Sequence, residues 1–157
     1  MAVISAGVLL YRRTPGGPEV LLAHPGGPFW TRKDAAAWSI PKGLVGAEEA
    51  PEAAARREFA EETGITIEAP LQPLGAFRQP GGKTVLAFAA EGDLDPAAIV
   101  SNTFTMEWPP RSGRNAEFPE IDRAAWFDPA TAADKILKGQ RPILDALLAR
   151  LAASSEG

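Results

Sequence analysis

The segment that most restricts this chain runs from Gly43 to Ile65 and reads GLVGAEEAPEAAARREFAEETGI. Between Pro51 and Thr63 it holds no glycine, and no β-branched residue before Thr63 itself. Alanine, glutamate and arginine dominate it, and all are strong helix formers. Pro51 suits a first helical position, and Gly64 suits a left-handed C-terminal cap. The pattern predicts a helix of about three to four turns, entered from a glycine-containing loop over 43–50. On that helix Glu58, Glu61 and Glu62 fall at i, i+3 and i+4, so their carboxylates share one face. Like charges at this spacing repel by about 0.2–0.5 kcal/mol per pair. Such a face can simply be solvated; a hard divalent cation such as Mg²⁺ or Mn²⁺ would instead turn the repulsion into ligation. Residues 48–62 carry six Glu and two Arg, a net −4 that equals the formal charge of the whole chain, so the acidity is concentrated on one element. Arg57 is placed to orient Glu58 or Glu61, and Glu49 adds a carboxylate at the entrance to the helix.

These residues resemble the Nudix box of the Nudix (MutT-type) hydrolases, G-x5-E-x7-R-E-U-x-E-E-x-G-U with U apolar. Its fixed positions are filled here by Gly43, Glu49, Arg57, Glu58, Phe59, Glu61, Glu62, Gly64 and Ile65, with Phe59 an aromatic in a slot that is often aliphatic. The box spans 23 of 157 residues, and the order of strands around it is similar too. The resemblance implies an α/β (α+β) fold, the αβα sandwich of that family, with a mixed central sheet and helices on both faces. It implies a hydrolase that uses water to cleave a phosphoanhydride in a nucleoside diphosphate linked to a further group. Glu58, Glu61 and Glu62, helped by the Gly43 carbonyl, would ligate Mg²⁺ or Mn²⁺, with Glu49 behind them as an auxiliary carboxylate. Two candidates for the general base stay open: Glu58 inside the box, and a glutamate on a later loop, for which Glu120 is the best match, with Glu117 behind it. WSIPKG, just before the box, is similar to a subset acting on nucleoside or inositol polyphosphates, and it brings Lys42 to where an anionic substrate would approach.

The rest of the chain reads as one domain over 1–153 with a frayed tail at 154–157. Val3–Arg12 and the nearly continuous apolar run Glu19–His24 are strands, the second buried on both faces, joined by a turn at 14–18. A short strand is expected at Ala37–Ile40. Leu74–Gln79 and Thr84–Ala90 form a hairpin around Pro80–Lys83. Residues 96–100 hold a single helical turn. Ser101–Trp108 is a strand, Pro109–Pro119 a flexible loop, and Ala124–Phe127 a short last strand. Asp128 caps a helix from Pro129 to about Leu137. Pro142 opens a final helix whose Ile143, Leu144, Leu147, Leu148 and Leu151 make a core stripe.

Composition excludes several kinds of chemistry. The chain has no cysteine and one histidine, so a His/Cys zinc site and disulfides are out. There is no GxSxG and no GxxxxGK[ST], so a nucleophile elbow and a P-loop are absent. Neither nucleic acid nor membrane is expected as a partner: no basic surface is signalled, and no apolar run nears the roughly 18 residues of a membrane span. The first residues lack the charge order of a signal peptide, which leaves the cytoplasm as the expected location. The expected partner is a small nucleotide or polyphosphate. Its phosphates need cations beyond the metal, and Lys42, Lys83, Arg78, Arg111 and Arg114 are the candidates. Phe29, Trp30 or Phe77 could stack on a base. The only tyrosine, Tyr11, precedes the box, whereas asymmetric dinucleoside polyphosphate hydrolases usually carry one after it. The SQPWPFPxS run of NADH pyrophosphatases is absent, and Pro80, at the position that marks some ADP-ribose hydrolases, is explained by its turn. The resemblance implies a nucleoside triphosphate or dinucleoside polyphosphate as the substrate. Alternatives are a diphosphoinositol- or ADP-ribose-type compound, or a non-catalytic nucleotide-binding regulator.

Overall fold

The computed structural model describes residues 3–156. The two early apolar runs become β1 (Ile4–Thr14) and β2 (Gly17–Pro25), antiparallel across a turn in which Thr14 faces Gly17. Strand alternation sends Leu9, Val20 and Leu22 to one side and Val8, Leu10 and Leu21 to the other. Both sides are covered, which is why these runs carry almost no polar residue. The other strands are β3 (Lys42–Leu44), β4 (Gln72–Arg78), β5 (Thr84–Glu91), β6 (Thr103–Glu107), β7 (Asn115–Pro119) and β8 (Ile121–Phe127). The main sheet has the order β4-β5-β1-β2-β8, with β3 pairing to β1; β1 and β5 are parallel, the other pairs antiparallel. The expected mixed sheet is therefore present.

Helix α1 (Pro51–Thr63) covers one face, burying Ala54, Ala55 and Phe59 against β1 and Leu21. It begins at Pro51 as expected, and Gly64 closes it at φ 74°, donating its N–H to the Ala60 carbonyl. Helices α2 (Pro129–Lys135) and α3 (Arg141–Glu156) cover the other face, where the Ile143, Leu144, Leu147 and Leu151 stripe packs against Leu9, Leu22 and Val85. Asp128 caps α2 through the Thr131 N–H. α3 is helical to Glu156, so the tail expected to fray from Ser154 is helical as far as it is described, and Gly157 lies outside the described residues.

Two local expectations are corrected. The segment Ala37–Ile40 is not a strand; Trp38 and Ser39 make isolated bridges, to Ile136 and Ala23, and the strand comes later, at Lys42–Leu44. The cause lies in β1 and β2, which pair only from Tyr11–Thr14 with Val20–Gly17 and then diverge. The 38–44 segment fills the gap: Ser39 exchanges backbone hydrogen bonds with Ala23 of β2, and Val8 of β1 donates to the Pro41 carbonyl. The second correction concerns 109–119. Only its first part is a turn; Asn115–Pro119 is β7, paired with β6 in a separate two-stranded hairpin.

Candidate active site

Arg57 organises the exposed face of α1. Its Nε and Nη2 grip the Glu49 carboxylate at 2.8 and 2.9 Å, Nη1 reaches Glu58 at 2.9 Å and Glu61 at 3.2 Å, and Nη2 also donates to the Leu44 carbonyl. The two-pronged grip on Glu49 is the geometry that favours arginine over lysine. Glu49 takes a further hydrogen bond from the Gly46 N–H, and the Arg57 guanidinium holds its carboxyl down at about 2. The same carboxylates raise Arg57. Gly43 lies under Glu58: a Cβ there would come within 2.0 Å of the Glu58 carboxyl carbon. Only glycine leaves that room.

Glu62 is engaged by β3, ahead of the helix, rather than by Arg57. It accepts the Lys42 N–H at 2.7 Å, and burial first of all, then the nearby Glu58 and Glu120 charges, push its carboxyl up to about 8. Lys42, Glu62 and Glu120 line one cleft of about 180 Å³ with Ser39, Ile40 and Ile121. The backbone of Glu120 is fixed on both sides: its N–H donates to the Asn102 carbonyl at 2.7 Å, and its carbonyl accepts from the Gly26 N–H at 2.9 Å. Its exposed carboxylate makes no hydrogen bond among the described residues.

Glu120 also borders a second, larger cavity of about 480 Å³. Its walls are the Pro25–Trp30 stretch on one side and Phe104 and Met106 on the other. In the β6–β7 hairpin Phe104 sits opposite Phe118 and Met106 opposite Ala116, so all four half-buried residues share the inner face. Trp108 stacks edge-on against Phe29, which is otherwise 60% exposed. Phe104 and Met106 were not singled out in the sequence. Their alternation within TFTME was a signal, but with β7 read as loop nothing showed which side they faced.

The remaining candidates separate. Arg111 and Arg114 are exposed in the turn of the hairpin, Arg111 donating its N–H to Glu107. Arg78 and Lys83 are exposed at the β4–β5 end of the sheet and line neither cavity. Glu117 is exposed in β7 opposite Thr105. Phe77 packs partly buried against the core on the α3 side and lines neither cavity, whereas Phe29 and Trp30 line the larger one.

The donor set of Gly43, Glu58, Glu61 and Glu62 is all oxygen, which suits Mg²⁺ or Mn²⁺ in chemistry. Among the described residues no three acidic or histidine side chains stand together at metal-binding spacing. Arg57 draws Glu58 and Glu61 to itself while Glu62 bonds the Lys42 amide. The residues therefore fit a hard cation as donors, held apart by a guanidinium rather than preassembled as a cage.

The model of the NUDIX domain matches residues 1–147. Among solved structures the chain is similar to an Ap4A hydrolase of C. elegans in a binary complex, with TM-score 0.68 and 24% identity over 95% of this chain and 98% of that one. It is similar to the NUDIX domain of Shewanella oneidensis NrtR complexed with ADP ribose, with TM-score 0.67 and 15% identity over 96% and 89%. A mutT/nudix family protein from Listeria innocua matches with TM-score 0.62 and 21% identity over 97% and 95%. At these identities the structural matches establish the fold.

Proposed function

The chain belongs to the NUDIX family of hydrolases, and on that premise we propose that it cleaves a phosphoanhydride bond in a nucleoside diphosphate linked to a further group, with Mg²⁺ or Mn²⁺ as cofactor and residues 1–153 as one catalytic domain. A nucleoside triphosphate or dinucleoside polyphosphate is the substrate class we favour. The observation that carries this reading is the junction at Glu120, where a cleft lined by Lys42 and Glu62 meets an apolar, aromatic-walled cavity. A polyphosphate fits the first and a flat base the second, since bases stack on aromatic side chains. An inositol polyphosphate, which is highly anionic, finds no cation in the larger cavity. Two of the similar proteins, the Ap4A hydrolase and the NrtR domain complexed with ADP ribose, are associated with compounds that join a base to a chain of phosphates.

In this scheme the metal supplies Lewis acidity toward the phosphoryl oxygens. The chain does the rest. Glu58, Glu61 and Glu62 offer carboxylate oxygens and Gly43 its carbonyl. Arg57 sets the orientation of Glu58 and Glu61 and is itself fixed by Glu49. Lys42 meets phosphate charge at the cleft. Glu120 is the preferred base, because its carboxylate is exposed and unengaged while Glu58 is held by Arg57. A base must be within hydrogen-bond reach of the attacking water and free to take its proton. The lack of cysteine accords with a reducing compartment, and we assign the enzyme to the cytoplasm.

The test is product analysis against a nucleotide panel, with Mg²⁺, with Mn²⁺ and with chelator. Metal-dependent release of a nucleotide product from ATP or diadenosine tetraphosphate is expected. Nucleotide binding without turnover in any metal would mark a regulator and overturn the reading.

A further inference from the structure

His24 is the only histidine in the chain, and the chemistry above does not use it. It is fully buried at the end of β2. Its Nε2 lies 2.6 Å from the Lys33 carbonyl oxygen and its Nδ1 2.9 Å from Asp122 Oδ1. A backbone carbonyl only accepts, so Nε2 carries a proton. At 2.9 Å, Nδ1 and Asp122 Oδ1 share a hydrogen bond as well, so both ring nitrogens are engaged. Arg123 Nη1 lies 3.6 Å from the same Oδ1. The other charged groups nearby are reached through Trp38, which meets His24 edge-on: Arg123 stacks over its ring and Asp34, paired with Lys135, accepts its indole N–H.

The location gives the ring a task. β2 and β8 pair at His24 with Arg123 and then at Pro25 with Ile121, so Asp122 is the extra residue of a bulge. Bulges re-aim a strand and recur beside active sites. Two residues before Asp122 is Glu120, whose carbonyl bonds Gly26 two residues after His24. Lys33, the ring's other partner, follows the stretch that carries Phe29 and Trp30. We propose that His24, clamped between Asp122 and the Lys33 carbonyl, is a positioning residue that holds Glu120 and the aromatic cavity wall in register. The effect on turnover rests on the function proposed for Glu120; the order the ring imposes does not.

With one histidine, ring ¹⁵N spectra of the full chain need no assignment. The Nε2–H should exchange slowly, as a buried hydrogen-bonded proton does; a rapidly exchanging ring proton would overturn the clamp. In His24→Gln, backbone amide exchange at Gly26, Glu120 and Ile121 should quicken by about tenfold or more while α3 is unchanged. Unchanged exchange at those three amides would overturn the positioning role. In Mg²⁺ with ATP or diadenosine tetraphosphate, His24→Gln should lower kcat by about 10- to 100-fold with KM altered less than about threefold. It should cost little more in a Glu120→Gln background; full additivity there would overturn action through Glu120. Should His24→Gln not fold, Asp122→Ala serves for the same exchange and rate measurements. Wild-type turnover by Glu120→Gln alone would sink the role given to Glu120 above, yet leave the ring and exchange results to decide the clamp.

Discussion

The two walls of the cleft are built in opposite ways. One is α1, whose Arg57, Glu58, Glu61 and Glu62 are neighbours in sequence, placed by helical geometry, with Glu58 and Glu61 held by one guanidinium. The other joins His24, Phe104 and Glu120, which come from three distant stretches and meet through a bulge, a hairpin and backbone hydrogen bonds. The first wall is polar and held by charge, the second largely apolar and held by register. Side chains on one wall are thus placed by local periodicity, and those on the other by strand pairing across the whole chain. Changes on the first wall should alter rate, and changes to the aromatic residues of the second should alter affinity.

The sharpest way to break that contrast is to remove carboxylates from α1. Glu61→Gln and Glu62→Gln should each lower kcat by roughly 100-fold or more while circular dichroism and melting stay close to wild type. Near-normal turnover in both would end the catalytic assignment of that face. Next in size is Gly43→Ala, whose new methyl must displace the Glu58 carboxylate; we expect about a 10- to 100-fold loss in kcat, measured alongside the melting temperature to exclude unfolding. On the second wall, Phe29→Ala should raise KM for a nucleotide by about 5- to 10-fold with kcat nearly constant, as expected for a lost stacking contact of about 1 kcal/mol. A fall in kcat alone would erase the distinction between the walls.

Smaller still is a pH effect on stability. The carboxyl of Glu62 rises from 4.5 to about 8 on folding, so the folded state keeps a proton that the unfolded chain has lost between those values. In chelator, stability should therefore fall as pH climbs from 4.5 toward 8, and Glu62→Gln should flatten that slope in thermal melts. The least effect is expected from Arg111→Ala with Arg114→Ala, at the exposed hairpin turn: KM should change by less than about twofold. A larger rise would bring the hairpin tip into the binding surface.

Much of the first wall was legible in the sequence because its information is local. The i, i+3, i+4 glutamates, Pro51 and Gly64 specify both the helix and which side chains share its face. The central strands were legible because burial on both faces leaves unbroken apolar runs. The second wall was not. Asn115–Pro119 has only Ala116 and Phe118 on its inner face, too short a pattern to read as a strand until its pairing with Thr103–Glu107 is known. The segment 37–44 misled for a related reason: Trp38, Ser39 and Gly43 pair with three different partners, so no single period runs through it. The partners of His24 lie 9 and 98 residues away, and nothing near it in sequence announces them.

The parting of β1 and β2 around residues 38–44 works as a keystone does in an arch. Ser39 is tied to one strand and residues 41–44 to the other, so lengthening or shortening this stretch would unseat both halves of the sheet together with Lys42 and Gly43. The hairpin tip at 109–113 bears no such burden. A change of length there should leave the sheet and residues 41–44 in place.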